Sequence, residues 1–479
     1  MVFSSLTFLL IFLPLLMLCY YVIPKRYVAA RRYVLMAFSF LFYACGEPIY
    51  FFVILLCVLV TWLLSRGTEQ KKKLSFILSL AVNIVPLIIF KYLNFIIANL
   101  NLIPFVSLPE VSLTMPIGIS FYTFQMLTYI IDLYRGEVKR QKNFGYLALY
   151  IFLVPQLIAG PIVRYSDIEE AIGECRENWD SIREGAGRFV KGLVKKVIFA
   201  NQTGMIFDAI MKTETGWREL SAISTPMIWL AVLAYSMQIY FDFSGYSDMA
   251  IGLGKMFGFD FLENFNLPYS SRSVSEFWRR WHISMNTFFR DYIYIPLGGS
   301  RCSTGRWLFN ILVVWTFTGL WHGAAWNFIL WGLYYAVLLV LEKLFLGKLL
   351  QKLPALFGWL YTTLMTAIGW TFFMRDSNDL LEVFRLTGKL FGIGAVSGSV
   401  NIRSLEIQSC LPYLAVAVIL ALPTRNLFRK AFDAVQNCRF KAVTTAYWIT
   451  SDAVQLAALA LCMIFIAVLN YNPFIYFRF

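Results

Sequence analysis

Trp307–Leu341 reads WLFNILVVWTFTGLWHGAAWNFILWGLYYAVLLVL, 35 residues between Arg306 and Glu342 without one Asp, Glu, Lys or Arg. As one straight helix the run would measure about 52 Å, at about 1.5 Å per residue. A bilayer's hydrocarbon core is only about 30 Å thick. The run must therefore break or tilt strongly. The natural break is Thr318-Gly319-Leu320-Trp321-His322-Gly323, near its midpoint. Each half then falls short of a full crossing. His322 is expected below the membrane surface, at the floor of a thinned or funnel-shaped region. An ionisable side chain at that depth is a functional candidate by default. The plainer reading is a neutral imidazole that packs two helices together.

Similar runs recur on both sides of this one. The chain has 479 residues, 59% hydrophobic and 15% charged, against about 25% charged in soluble proteins. Helix-length apolar runs define an all-α polytopic membrane protein. Met1–Ile23 reads as a retained first helix. Val34–Leu64 holds two helices around Gly46-Glu47-Pro48, and Leu74–Ala98 is a span with Lys91 near its outer end. Pro116–Leu133 follows, then Phe144–Val163, interrupted by Pro155, Gly160 and Pro161. Backbone so broken at membrane depth must be shielded by protein or line a cavity. Phe189–Ile210, Met227–Phe241, Leu356–Met374, Cys410–Leu422 and Ala446–Leu469 are further apolar runs and bring the expected total to about eleven spans. Phe241–Phe261 is a separate stretch rich in glycine and aromatics, with Asp242 and Asp248.

The net charge of +14 is spread as short Lys/Arg clusters between the runs, such as Lys25–Arg32 and Lys71–Lys73. That is the pattern of cytoplasmic loops, and it argues against nucleic-acid binding. The eight cysteines are scattered with no Cys-x-x-Cys pair, so neither a disulfide framework nor a zinc site is expected. No internal repeat or separate soluble domain interrupts the chain. One membrane domain over 1–479 is expected, with N-terminal helices in 1–143, a core holding both histidines in 144–345, and C-terminal helices in 346–479.

There are only two histidines, His282 and His322, and histidine is the side chain that titrates nearest neutrality. His282 sits in Glu276-Phe-Trp-Arg-Arg-Trp-His282-Ile-Ser-Met-Asn286, followed by Phe289-Arg290-Asp291. On one helix Trp278, Trp281, His282, Met285 and Phe289 would share a face. The basic, aromatic stretch Arg272–Arg306 reads as an interfacial or re-entrant element; its plain role would be membrane anchoring by arginines and aromatics. The histidines lack the i, i+4 spacing of a helical metal pair, and no carboxylate or thiol cluster accompanies them, so no metal site is expected. Neither a Gly-x-Ser-x-Gly elbow nor a phosphate-binding glycine loop occurs. Cys302 beside Arg301 reads as structural.

Phe277-Trp-Arg-Arg-Trp-His282-Ile-Ser and Thr318-Gly-Leu-Trp-His322-Gly-Ala-Ala-Trp-Asn327 resemble the two signature blocks of the membrane-bound O-acyltransferases, specifically the bacterial alginate O-acetyltransferase-like subgroup. Supporting blocks are Pro155–Arg164, Tyr240–Ala250, Arg290–Gly299 and the terminal Asn472–Phe479, in family order over nearly the whole chain. Met285 and Asn286 depart from the expected Leu and Ser, which touches nothing catalytic.

The resemblance implies a ring-like helical bundle, thin at its centre, with funnels from both faces. It makes His322 the catalytic residue and His282 a second family position, often asparagine elsewhere. It implies transfer of an acetyl group from a cytoplasmic thioester donor, acetyl-CoA, to hydroxyls of an exported polysaccharide at the cytoplasmic (inner) membrane. An extracytoplasmic acetyltransferase of the hydrolase type would be the partner. No bound cofactor is expected. On this reading His322 is the general base, and His282 or Asn327 orients the donor or stabilises the oxyanion. Trp281 and Trp321 are candidates for substrate or donor contact. Arg279, Arg280 and Arg290 are candidates to hold the donor's phosphates, since guanidinium pairs well with phosphate. Asp242 and Asp248 are expected to pair with arginines of Arg272–Arg306, and Asp291 to support the site structurally. The alternatives are D-alanyl transfer to teichoic acid from a carrier protein, and a transporter or scaffold of a polysaccharide export complex.

Overall fold

The computed structural model describes residues 2–157, 160–375, 377–394, 404–424, 435, 441–469, 471, 473 and 475. Cys438, the Ile158-Ala159 pair of the Pro155–Arg164 block, and most of the terminal block lie outside them. The N-terminal part runs through α1 (Phe8–Val22), α2 (Val28–Ala44), α3 (Pro48–Glu69) and α4 (Lys73–Leu100). Pro48 opens α3, the position where its missing N–H costs nothing. Next come α5 (Ile119–Arg135), α6 (Phe144–Phe152), α7 (Tyr165–Ile172), α8 (Trp179–Val194) and α9 (Asn201–Met211). Gly118 and Gly136, both with left-handed backbone, bracket α5. A small hairpin, β1 (Lys212–Thr213) and β2 (Gly216–Trp217), pairs Lys212 with Trp217 and Thr213 with Gly216. It leads to α10 (Thr225–Met256).

The site-bearing part holds the short α11 (Val274–Arg280) and α12 (Ile283–Phe289), then α13 (Thr304–His322) and α14 (Trp326–Leu341). The chain closes with α15 (Ala355–Phe373), α16 (Leu380–Lys389), α17 (Leu405–Ala421) and α18 (Lys441–Val468).

Among the described residues five helices are long and apolar enough to cross a membrane: α3, α4, α10, α14 extended as Trp326–Lys352, and α18. The shorter α1 and α17 are also apolar. The protein is an all-α polytopic membrane protein. Several of the expected eleven spans are shorter or more polar than this, because protein encloses them. In α5, for example, Ser120, Thr123, Gln125, Thr128 and Asp132 are all buried. The broken stretch after α6 is likewise buried at its described residues from Leu153 to Val163.

Burial separates core from lipid-facing helices. The most apolar window of α10 is 83% buried, against 11% in α4 and 6% in α18. Sequence punctuation suggested two elements over 227–261, yet α10 runs unbroken through its glycines. Those glycines serve helix packing. A Cβ on Gly245 would lie 2.8 Å from the Gly192 carbonyl oxygen, and one on Gly252 2.5 Å from that of Gly185. Both pairs are seven residues apart, so α8 and α10 touch backbone to backbone over two turns.

Asp242 and Asp248 do not pair with arginines of Arg272–Arg306. Asp242 meets Lys196 at 2.7 Å, and Asp248 meets Lys195 and Arg188, each at 2.6 Å. The α8–α10 contact explains this: it sets the basic face of residues 188–196 against the aspartates.

Candidate active site

The charge-free run breaks where its glycines indicated. His322 is the last residue of α13, Gly323 is extended, and α14 starts at Trp326. Two glycines let the arms of this hairpin touch. A Cβ on Gly319 would lie 2.2 Å from the Phe328 carbonyl oxygen, and one on Gly332 2.1 Å from that of Trp315. His322 is 2% exposed. Its ring packs against Trp321, Trp331 and Phe373 at centroid distances of 4.8, 4.9 and 5.0 Å.

A helix leaves its last carbonyls without intrahelical donors. At the end of α13 two side chains of α4 supply them. Lys91 Nζ donates to the Trp321 carbonyl, and to Ser120 Oγ at 2.9 Å. Tyr92 donates to the Leu320 carbonyl at 2.8 Å. Lys91 thus lies buried against the histidine helix. Its only sequence signal was a lone charge in an apolar run.

His282 does not lie within one helix. It sits at the break between α11 and α12 with φ +46° and ψ +55°, a left-handed conformation in which histidine is enriched several-fold over most residues. The shared face of Trp278, Trp281, His282, Met285 and Phe289 is therefore lost. Fully buried, His282 packs edge-on to Phe243 at 4.6 Å and lies 5.6 Å from Trp321. The Trp321 indole thus touches both imidazoles.

Between α11–α12 and α13–α14 lies a cavity of about 1060 Å³. Its lining carries Arg272, Arg279, Arg290, Lys343 and Lys348, together with Glu276 and Glu342. Glu342 is spent on structure: its carboxylate accepts from Val274 N at 2.6 Å and Ser275 N at 2.9 Å, capping α11. Along α13 the lining residues are Trp307, Ile311, Val314, Trp315 and Thr318. They occupy one helical face, and His322 is the next residue on it, one turn beyond Thr318.

The model of the membrane-bound O-acyltransferase family matches residues 53–375, a stretch that contains the cavity and both histidines. The chain belongs to the membrane-bound O-acyltransferase family. It is an O-acyltransferase. It is 36% identical over 520 aligned positions, covering all of both chains, to a protein of Azotobacter vinelandii named probable alginate O-acetylase. To the peptidoglycan O-acetyltransferase of Helicobacter pylori it is 31% identical, covering 83% of this chain and 81% of that one. A teichoic acid D-alanyltransferase of Bacillus subtilis is 29% identical, with 66% of this chain and 80% of that one aligned.

In this O-acyltransferase the remaining sequence candidates divide clearly. Arg279 and Arg290 line the cavity. Arg280 does not; it pairs with Glu276 at 2.8 Å. Asp291 joins Arg290 at 2.6 Å and Arg164 at 2.7 Å. Burial raises the affinity of its carboxyl for a proton, but these arginines outweigh that and hold its pKa below the usual carboxylate value. Asn327 does not offer its amide to the histidines. Its Nδ2 donates to the Phe372 carbonyl at 2.9 Å and to that of Arg375 at 3.3 Å, anchoring the turn after α15. Trp281 is buried between Phe265, Phe277 and Trp370, away from the cavity lining.

Two further groups surround the histidines, and of their residues the sequence candidates for substrate or donor contact had included only Trp321. Buried among the described residues without a hydrogen-bond partner are the indole N–H groups of Trp278, Trp321 and Trp331. Trp321 and Trp331 flank His322, and Trp278 joins Trp331 (5.4 Å) to the cavity. The second is Asn264, the hydrogen-bond partner of His282. No sequence pattern marks Asn264 or shows that these indole N–H groups lack partners.

Proposed function

We propose that this O-acyltransferase moves an acetyl group from acetyl-CoA, entering from the cytoplasm, to hydroxyls of an exported cell-surface polysaccharide, with His322 as general base. The observation that carries the reading is the alignment of His322 with the cavity: the lining residues of α13 end at Thr318, and His322 continues their face. The basic lining suits the donor's phosphates, and its lysines and arginines agree with a cytoplasmic opening under the positive-inside rule. A narrow thioester arm passing Trp278 and Trp315 would bring its carbonyl to the imidazole.

His322 takes the proton of the acceptor hydroxyl as that oxygen attacks the thioester carbonyl. The new C–O bond forms, the C–S bond breaks, and the imidazolium returns its proton to the departing thiolate. Such proton transfer contributes about 10²- to 10⁴-fold. The indole N–H groups of Trp321 and Trp331 are the donors for the developing oxyanion, a role in which loss of one donor costs about 10²- to 10³-fold. Asn327, committed to the α15 turn, is not.

An acetyl group and a glycan acceptor are supported by the names of the relatives that align over most or all of the chain. The D-alanyl-transferring relative aligns over less of it. The protein would work in the cytoplasmic (inner) membrane and hand acetyl groups on directly or through an extracytoplasmic acetyltransferase of the hydrolase type.

The test is the ester-linked acyl content of the surface polymer in cells carrying His322→Ala, with the variant shown to reach the membrane at normal level. Acylation should fall to that of a full deletion, and the group released from wild type should be acetate. Unchanged acylation would make His322 a packing residue. Released D-alanine would replace the donor assignment.

A further inference from the structure

We infer that Asn264 is a positioning residue that holds His282 in its Nδ1–H tautomer, so that Nε2 serves as a hydrogen-bond and proton acceptor rather than as an oxyanion donor. Two backbone groups determine the orientation of the Asn264 amide. The Ser284 N–H can only donate, and it meets Asn264 Oδ1 at 3.2 Å. The Gly160 carbonyl can only accept, and it meets Nδ2 at 3.4 Å. Nδ2 also reaches Ser247 Oγ at 3.1 Å. The atom facing His282 Nδ1 at 3.1 Å is therefore the amide oxygen. A carbonyl oxygen accepts and never donates, so Nδ1 carries the proton. In the neutral ring the lone pair is then on Nε2.

The surrounding bonds leave this arrangement little freedom. Asn264 binds three consecutive residues of the helix break: His282 through Nδ1, Ile283 N through its own carbonyl at 3.0 Å, and Ser284 through N and Oγ. The Ser284 hydroxyl in turn accepts from Ile162 N at 2.9 Å. Holding His282 at φ +46° also limits how its ring can turn. This is the arrangement by which a carbonyl or carboxylate selects a histidine's working nitrogen elsewhere. It removes His282 from the oxyanion role and makes it a second acceptor beside His322, able to orient the incoming hydroxyl. That use in acyl transfer rests on the proposed function; the tautomer itself does not.

Because the chain has only two histidines, the tautomer can be read directly. The full-length protein is labelled with ¹⁵N-histidine, carries His322→Gln, and is held in lipid nanodiscs, so that His282 alone reports. The neutral ring should show a protonated Nδ1 and a bare Nε2. Asn264→Asp should keep that pattern, since a carboxylate also accepts, and Asn264→Ala should let both tautomers appear. A protonated Nε2 in the parent overturns the inference, whatever the substrate. With His322 restored, Asn264→Ala should lower kcat for acetyl transfer at least tenfold with KM for acetyl-CoA unchanged, and Asn264→Asp should recover part of it. Full turnover in Asn264→Ala would overturn the catalytic half of the inference.

Discussion

Lys91 donates to the carbonyl of Trp321, the residue immediately before His322. A helix end that would otherwise expose bare carbonyls inside the protein is thereby tied to α4. We expect Lys91→Met to leave the Trp321 carbonyl unpaired, costing about 1–3 kcal/mol. His322 should also lose its fixed position. Thermal unfolding in detergent, paired with acetyl transfer per folded molecule, checks both effects. Normal turnover in a destabilised variant would show that the clamp serves stability alone.

The α13–α14 hairpin should tolerate no side chain at its crossing. Gly332→Ala places a methyl 2.1 Å from the Trp315 carbonyl oxygen, an overpacking that typically costs about 1–3 kcal/mol. It should also spread the helices that frame His322. A misplacement of about 1 Å can cost about 10²-fold in rate. Gly305→Ala, where nothing lies within 4 Å, is the control and should match wild type in stability and turnover.

Arg279 and Arg280 are neighbours with opposite surroundings, one lining the cavity and the other paired with Glu276. Arg279→Gln should raise KM for acetyl-CoA, more at low salt than at high, with kcat little changed. Arg280→Gln should leave KM within about twofold, because Arg280 is engaged by Glu276 and the Asn266 carbonyl instead of facing the cavity. Equal effects from the two variants would place the donor elsewhere.

Lys196 and Asp242 form a buried pair at 2.7 Å between the segment after α8 and α10. Asp242→Leu should destabilise the protein by about 3–5 kcal/mol, because it leaves the buried Lys196 ammonium without its carboxylate, although the Pro473 carbonyl still accepts from it. Adding Lys196→Met should recover much of that loss. A double-mutant cycle of unfolding free energies decides it; a double variant no better than the single would show that the pair is held by other groups.

The hairpin break at His322 was legible because a charge-free run longer than the bilayer must break, and two glycines marked where. The buried, interrupted segment after α6 was legible from its prolines. The end of α13 at a histidine, the α11–α12 break and the partners of Asp242 were not. The α11–α12 stretch keeps an intact helical pattern through His282, and it turns where Asn264, eighteen residues earlier, accepts hydrogen bonds from Ile283 and Ser284 and where Asn286 donates to the Trp281 carbonyl.

Composition and hydrophobic run length were enough to establish a polytopic helical membrane protein with His322 in its interior. They act along the chain, through the energy of placing each residue in lipid or water. Packing settled what His322 and His282 touch, which arginines reach the cavity, and which atom of Asn264 faces His282. Those are contacts between segments tens to hundreds of residues apart. Their geometry comes from backbone approach at glycines and from the need of each buried polar group for a partner, and neither leaves a periodic trace in the order of residues.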